Sequence, residues 1–328
     1  MDIVQNFIGK AQANPARIVY PEATDPRILE AAVKVHDLGI AHPILVGEEA
    51  AINTVASDLD LHLEGLEIID SKTDTRLVRY AKAYADKREM REAIATKLVR
   101  KPLSFGGMMV SQGDADGMVA GVATATSIVI QAASLTVGFQ EGLSTPSSFF
   151  IMIVPKFQDA EDKVFIFADS AVNIQPSAQQ LAEIAIASGT NAKALLGIEP
   201  KIAFLSFSTK GSAGHPDADK VLRALEIARK IKPDFDMDGE FQLDAAIISA
   251  VAAKKVKESR VAGQANVLVF PDLDAGNIGY KLVQYMAKAK AIGPILQGFA
   301  HPVNDMSRGA SVEDLIAVSA ITSVQARG

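Results

Sequence analysis

Cysteine does not occur in this chain of 328 residues. Its absence removes disulfides, thiolate metal sites, iron–sulfur clusters and any covalent mechanism that runs through a cysteine thioester. Histidine is scarce, and His36, His42, His62, His215 and His301 show neither HxH nor HExxH spacing, so no metal-ligand cluster can be read from them. No uninterrupted apolar run approaches the ~18 residues that a membrane span needs. The stretch from Met1 to Lys10 also lacks a basic segment followed by a long apolar one, and a cytoplasmic protein is the expectation. Positive charge is in slight deficit: 33 Lys and Arg against 39 Asp and Glu give a formal charge of −6. The basic residues are spread along the chain, which speaks against nucleic-acid or membrane-surface binding. An anionic ligand would need a local pocket.

What is present is apolar and periodic. Hydrophobic residues make up 48% of the chain and charged ones 22%, enough to bury a sizeable core in two domains or one large one. Short β-branched runs alternate with longer amphipathic stretches, the pattern of βα units around a mainly parallel sheet. Strands are predicted at Ala16–Tyr20, Ile44–Val46, Leu66–Asp70, Phe149–Val154, Val164–Ala168, Ile202–Ser206 and Asn266–Phe270. Asp25 caps the first of the predicted helices, with Pro26 in its first turn and Gly39 past its end, a pairing of start and stop signals. Two helical stretches are expected between Thr73 and Gln112, one over Ser177–Ser188 stopped by Gly189, and one over Asp217–Lys232 halted by Pro233. Asp114–Gly121 reads as a turn, a buried strand and a glycine exit.

Four segments carry candidate chemistry. Gly211-Ser-Ala-Gly214 lies between a strand and a helix, where small residues let backbone N–H groups approach a phosphate. It matches neither GxxxxGK[ST] nor GxGxxG, so an ordinary tight turn is at least as good a reading. Asp272 to Lys281 and Asp169 to Gln175 follow strand ends in the same way, the place where open α/β sheets bind ligands; capping and turn chemistry is the bland account. Gly298 to Asp314 is the most informative. It sets Ser307, Arg308 and Gly309 ahead of a helix, a grouping suited to a phosphate or a developing oxyanion. Ser311 and Asp314 have the S-x-x-[DE] spacing of a capping box, which by itself would account for Asp314.

Along essentially its whole length the sequence resembles the phosphate acetyltransferase family. The blocks that carry the resemblance are Asp114-Ala-Asp-Gly-Met-Val-Ala-Gly121, Phe167-Ala-Asp-Ser-Ala-Val-Asn173, Phe204-Leu-Ser-Phe-Ser208, Asp238-Gly-Glu240 with Gln242-Leu-Asp-Ala245, Asn266 to Pro271, Ala275 to Lys281, and Gly293 to Gly298 before Asn304-Asp-Met-Ser-Arg-Gly309. Their joint order and spacing are more specific than any one of them.

The resemblance implies an α/β chain of two domains with mainly parallel sheets and flanking helices, like the isocitrate and isopropylmalate dehydrogenases, with a cleft between them. The first domain would be discontinuous, residues 1–142 with 297–328, and 143–296 would be inserted and form a homodimer. The implied reaction exchanges an acetyl group between acetyl-CoA and phosphate, giving acetyl phosphate and CoA, with CoA a substrate and no cofactor, metal, nucleic acid or membrane required. Carried over by position, the catalytic residues are Ser307, Arg308 and the proposed base Asp314, and substrate contacts fall on Arg88, Gln131, Ser144, Thr145 and Lys281. Arg91 competes with Arg88, and Gln131 stands where the family commonly has an arginine. Ordinary pKa values of ~3.9 for an aspartate and ~8.5 for a thiol leave ~6 kcal/mol between base and acid. Asp314 would therefore need desolvation, or would steer the thiol while proton loss accompanies attack. The alternatives are a phosphate butyryltransferase-like enzyme and a catalytically weakened ligand-sensing domain of the same fold. A dehydrogenase would need a nicotinamide site and an aspartate cluster, neither of which is evident.

Overall fold

The computed structural model describes residues 3–232 and 234–327. The chain divides into two compact units, Met1–Glu141 with Phe299–Gly328, and Gly142–Gly298. The first unit begins with α1 (Ile3–Ala13), β1 (Ala16–Tyr20), α2 (Pro26–Asp37), β2 (Ala41–Val46), α3 (Glu49–Asp58), β3 (Glu67–Ile69), α4 (Arg76–Arg88), α5 (Glu92–Val99), α6 (Pro102–Ser111), β4 (Gly117–Ala120) and α7 (Thr126–Thr136). The second holds β5 (Ser147–Phe157), β6 (Ala160–Ala168), α8 (Ala178–Leu196), β7 (Lys201–Leu205), α9 (Pro216–Ile231), β8 (Asp236–Phe241), α10 (Leu243–Ile247), α11 (Ser249–Lys255), β9 (Val267–Val269), α12 (Leu273–Met286) and β10 (Lys290–Gln297). The chain then returns to the first unit with β11 (Val303–Asp305) and α13 (Val312–Gln325).

In the first unit the strands run in the order β11-β4-β1-β2-β3, all parallel. Burial follows from that arrangement. Every residue of β4 is buried, as expected of a central parallel strand covered by helices on both faces. α13 packs against α1 and α2, and its polar side chains are matched rather than stranded. Tyr20 donates its hydroxyl to Ser319 at 2.7 Å, the amide of Ala16 donates to Ser323 Oγ at 3.0 Å, and Asn304 Nδ2 donates to Thr322 Oγ1 at 2.8 Å. Buried hydroxyls satisfied in this way cost little and fix the helix register. Gly117 is required by the same packing, since a Cβ there would stand 2.8 Å from Thr322 Cγ2.

The second unit has the order β10-β5-β6-β9-β7-β8; β10, β5 and β6 pair antiparallel, and β6, β9, β7 and β8 parallel. Phe150, Met152, Phe165, Phe167, Phe241 and Leu268 belong to its core.

Several boundaries differ from the sequence reading. Gly189 does not stop α8, because a Cβ there would lie 2.7 Å from Ile202 Cδ1 and 2.8 Å from the Phe235 ring. It is a packing glycine inside the helix, and the αL stop falls at Gly197. Three helices, not two, occupy Thr73 to Gln112: Glu89 at φ +51° ends α4, and Pro102 opens α6. Asp272 to Lys281 is mostly helix, with Asp272 accepting from the Ala275 amide as N-cap of α12. α9 matches its expected span within a residue, and Pro233 lies outside the described residues. Among the described residues no helix is long and apolar enough to cross a membrane, and no group of three or more His, Asp or Glu could hold a metal ion.

Candidate active site

β1, β4 and β11 are neighbours and parallel, so their carboxyl ends deliver three connections to one edge of the sheet: 21–25, 121–125 and 306–311. Charged side chains join these connections. Glu22 receives the amide N–H groups of Gly121, Val122 and Ala123 at 2.8, 2.9 and 3.2 Å. Arg27 grips Asp25 through Nε and Nη2 at 3.1 and 2.9 Å. It also donates to the backbone carbonyls of Arg308 at 2.6 Å, Ala310 at 3.3 Å and Val122 at 3.3 Å. One guanidinium thus touches all three connections. Burial opposes the charge on Asp25, but the bonds from Arg27 outweigh it and hold the carboxyl below its usual range.

Asp305, the last residue of β11, points into this junction. The Thr126 hydroxyl, at the start of α7, donates to its Oδ2 at 2.5 Å. Its Oδ1 is buried with no hydrogen-bond partner among the described residues. Burial pushes the carboxyl up to about 6; the Thr126 bond works the other way and the Glu22 charge adds to the rise. Gly121, at φ +100°, passes so close that a Cβ would stand 2.1 Å from Asp305 Oδ1.

Ser307, Arg308 and Asp314 follow on the same connection and are all exposed. Ser307 Oγ accepts the Gly309 amide at 3.2 Å, while the Arg308 side chain has no hydrogen bond or ion pair among the described residues. The expected capping box is present: Ser311 Oγ accepts the Asp314 amide at 3.1 Å, and Asp314 Oδ2 accepts from Ser311 N and Oγ at 3.0 and 2.9 Å. Those bonds to the carboxylate use Oδ2 alone.

Arg88 reaches the far end of α7, and Gln131 lies midway along that helix. Arg88 donates to the carbonyls of Ser134 at 2.7 Å and Leu135 at 2.9 Å, satisfying the last turn of the helix. Gln131 is exposed one turn earlier, and Arg91 is the exposed N-cap residue ahead of α5. At 1.5 Å per residue, this end of α7 lies roughly 8–14 Å along the helix axis from Thr126. In the second unit, Ser144 gives its amide and hydroxyl to Glu183 at 2.8 and 3.2 Å, Thr145 is buried beside it, and Lys281 is exposed over the Tyr280 ring. The Gly211–Gly214 turn is spent internally. Gly211 N donates to Glu240, Ala213 N to Ser208 Oγ and Ser212 N to the Thr209 carbonyl. The tight-turn reading holds there, and those amides are not open to a phosphate.

Glu22, Arg27, Thr126 and Asp305 were not singled out by sequence pattern. Asp305 and Gly121 lie inside the quoted blocks, and the S-x-x-[DE] signal identified the neighbouring cap. Glu22 carries no local signal, because its partners are about 100 residues away.

A family model described as phosphate acetyl/butaryl transferase matches residues 2–323. A phosphate acetyltransferase of Thermoanaerobacterium thermosaccharolyticum is 48% identical over 330 residues that cover the whole of both chains. A phosphotransacetylase structure from Streptococcus pyogenes superposes with a TM-score of 0.92 at 39% identity, covering 99% of this chain and 98% of that one. A 4-hydroxythreonine-4-phosphate dehydrogenase from Burkholderia phymatum shares the fold alone, with a TM-score of 0.53 at 11% identity over 96% and 97% of the two chains.

Proposed function

The chain belongs to the phosphate acetyl/butaryl transferase family, and from that premise we infer its reaction: it interconverts acetyl-CoA plus phosphate with acetyl phosphate plus CoA. The relatives are named for the acetyl group, which favours acetyl over butyryl transfer. We assign the chemistry to the β11–α13 connection. In the direction of acetyl-CoA formation, the CoA sulfur forms a bond to the acetyl carbon, the C–O bond to phosphate breaks, and its electron pair leaves on phosphate. Arg308 offers a forked pair of donors to the departing phosphate oxygens. Ser307 accepts from Gly309 and keeps its own proton to donate to the developing oxyanion. Asp314 holds the helix start with Oδ2 and leaves Oδ1 to take or steer the thiol proton. Arg88, at the other end of α7, and Gln131, midway along it, are assigned to the distant part of a long substrate such as CoA, and Ser144, Thr145 and Lys281 are also assigned to substrate contacts.

The observation that carries the site assignment is Arg308, an exposed guanidinium without a partner among the described residues, on a backbone held by Arg27. The test supplies the purified protein with acetyl phosphate and CoA, with and without a chelator, and follows the thioester. Acetyl-CoA formation is expected in both, and its absence overturns the reading. Arg308→Ala should lower kcat/KM more than tenfold, a loss above ~1.4 kcal/mol, and Arg308→Lys should recover little. The same reading includes a cytoplasmic location, which suits a cysteine-free chain, and a homodimer formed through the second unit. Support for the dimer is the exposed apolar stripe of Ile278, Leu282, Tyr285 and Met286 on α12.

A further inference from the structure

Asp305 is buried at the junction of three connections, yet one of its oxygens has no partner among the described residues and the other has a single short bond from Thr126. A carboxyl placed where it is poorly solvated and close to a second carboxylate is a costly choice for a purely structural position, where an apolar or amide side chain would pack at less expense. The backbone around it has been shaped to admit it. At Gly121 any side chain would collide with Oδ1. The connectivity gives the charge a task. Ionised Oδ2 strengthens the Thr126 bond, because a charge-assisted hydrogen bond is about twice as strong as a neutral one. Thr126 ends the connection that carries the Val122 carbonyl, Val122 accepts from Arg27, and Arg27 holds the carbonyls of Arg308 and Ala310.

Resting on the acetyl-transfer reading above, we propose that Asp305 is a positioning residue for that reaction: its carboxylate, through Thr126 and the Gly121–Ala125 connection, sets the backbone from which Arg308 reaches the phosphate. The segments that meet at this junction carry Glu22 and Asp25 on the β1–α2 connection, Arg27 on the first turn of α2 and Arg308 on the β11–α13 connection, and of these Glu22 is the charge that acts on Asp305; the 121–125 connection and the first turn of α7 carry none. Asp305 has only the single Thr126 hydroxyl to support its charge, and it takes up a proton as pH falls. Protonation weakens the Thr126 bond, and the Arg308 backbone loses its reference.

The experiment compares wild type, Asp305→Asn, Thr126→Val and Thr126→Ser over pH 4 to 8, reading kcat, KM for CoA and melting temperature. Wild type should lose kcat as pH falls through about 6, the value to which burial raises Asp305. Asp305→Asn should have at least fivefold lower kcat at pH 8, no acid limb near 6 and a KM for CoA within twofold of wild type. Thr126→Val, which removes the donor through which the charge acts, should lower kcat at pH 8 as Asp305→Asn does and flatten the acid limb, and Thr126→Ser should restore both. Melting gives a readout independent of turnover. A folded-state value raised above the unfolded one means the folded protein holds the proton more tightly, so wild type loses stability relative to Asp305→Asn from about pH 4 to 6. Wild-type kcat at pH 8 in Asp305→Asn, or an acid limb that survives in Asp305→Asn or in Thr126→Val, overturns the proposal. If wild type transfers no acetyl group, the functional reading fails, while the melting comparison still tests whether Asp305 is the buried titrating group.

Discussion

The proposed mechanism puts two demands on the one carboxylate of Asp314, and its oxygens can divide them: Oδ2 closes the capping box while Oδ1 takes no part in it. Asp314→Asn can keep its amide oxygen toward Ser311 and turn the NH2 group outward, so the cap survives and the charge does not. Stability should change by at most about 1 kcal/mol. Turnover should fall at least ~100-fold, the lower end of what general-base assistance contributes. The measurement is kcat at saturating CoA and acetyl phosphate beside thermal melts. Normal turnover per folded molecule, with an earlier melt, would return Asp314 to capping alone. Arg308 and Asp305 sit three residues apart with opposite designs. One is exposed and unpaired among the described residues; the other is buried with an unsatisfied oxygen. A sequence motif marks both positions but does not distinguish their environments.

Among the elements, Arg27 on the first turn of α2 joins more of the site than any residue of the quoted motifs. Lysine there would keep a charge beside Asp25, but one ammonium cannot reproduce a planar fork that reaches three carbonyls and a carboxylate. Arg27→Lys should therefore fold, as judged by circular dichroism, and lose more than tenfold in kcat; wild-type kcat in that variant would show that the junction is not held through it. Local patterns were legible where the cause is local. β1, the Asp25 cap, the span of α9 and the Ser311 capping box all depend on neighbours within a few residues. Gly189 was misread because its reason is a ring and a methyl group from other segments. β8 carries acidic residues on a short strand, and β11 has only three residues; their place is set by pairing with β7 and β4, which periodicity does not record. For the same reason Glu22 and Arg27 went unmarked: their partners stand about 100 and 280 residues away in sequence.

For the whole molecule, the α12 stripe gives the dimer a concrete test. A chain of 34.8 kDa should sediment at twice that mass, and Leu282→Asp combined with Tyr285→Asp should return it to one copy by placing charge where apolar side chains are half or more exposed. A wild-type protein that sediments as a monomer at micromolar concentration removes the proposal. The return of the chain to its first unit has a different consequence. β11 pairs beside β4, and α13 supplies the Ser319 and Ser323 hydroxyls that Tyr20 and Ala16 use. None of these partners exists until the segment that begins at Phe299 has left the ribosome. During synthesis the inserted unit is contiguous and complete by Gly298, whereas the earlier strands wait with an open edge and an uncovered apolar face. Chain elongation at ~5–20 residues per second makes that wait tens of seconds at the slow end, long enough for the unpaired edge of β4 to meet another nascent chain, so the final helix acts as the closing step of folding and the interval before it as the period of greatest exposure to aggregation.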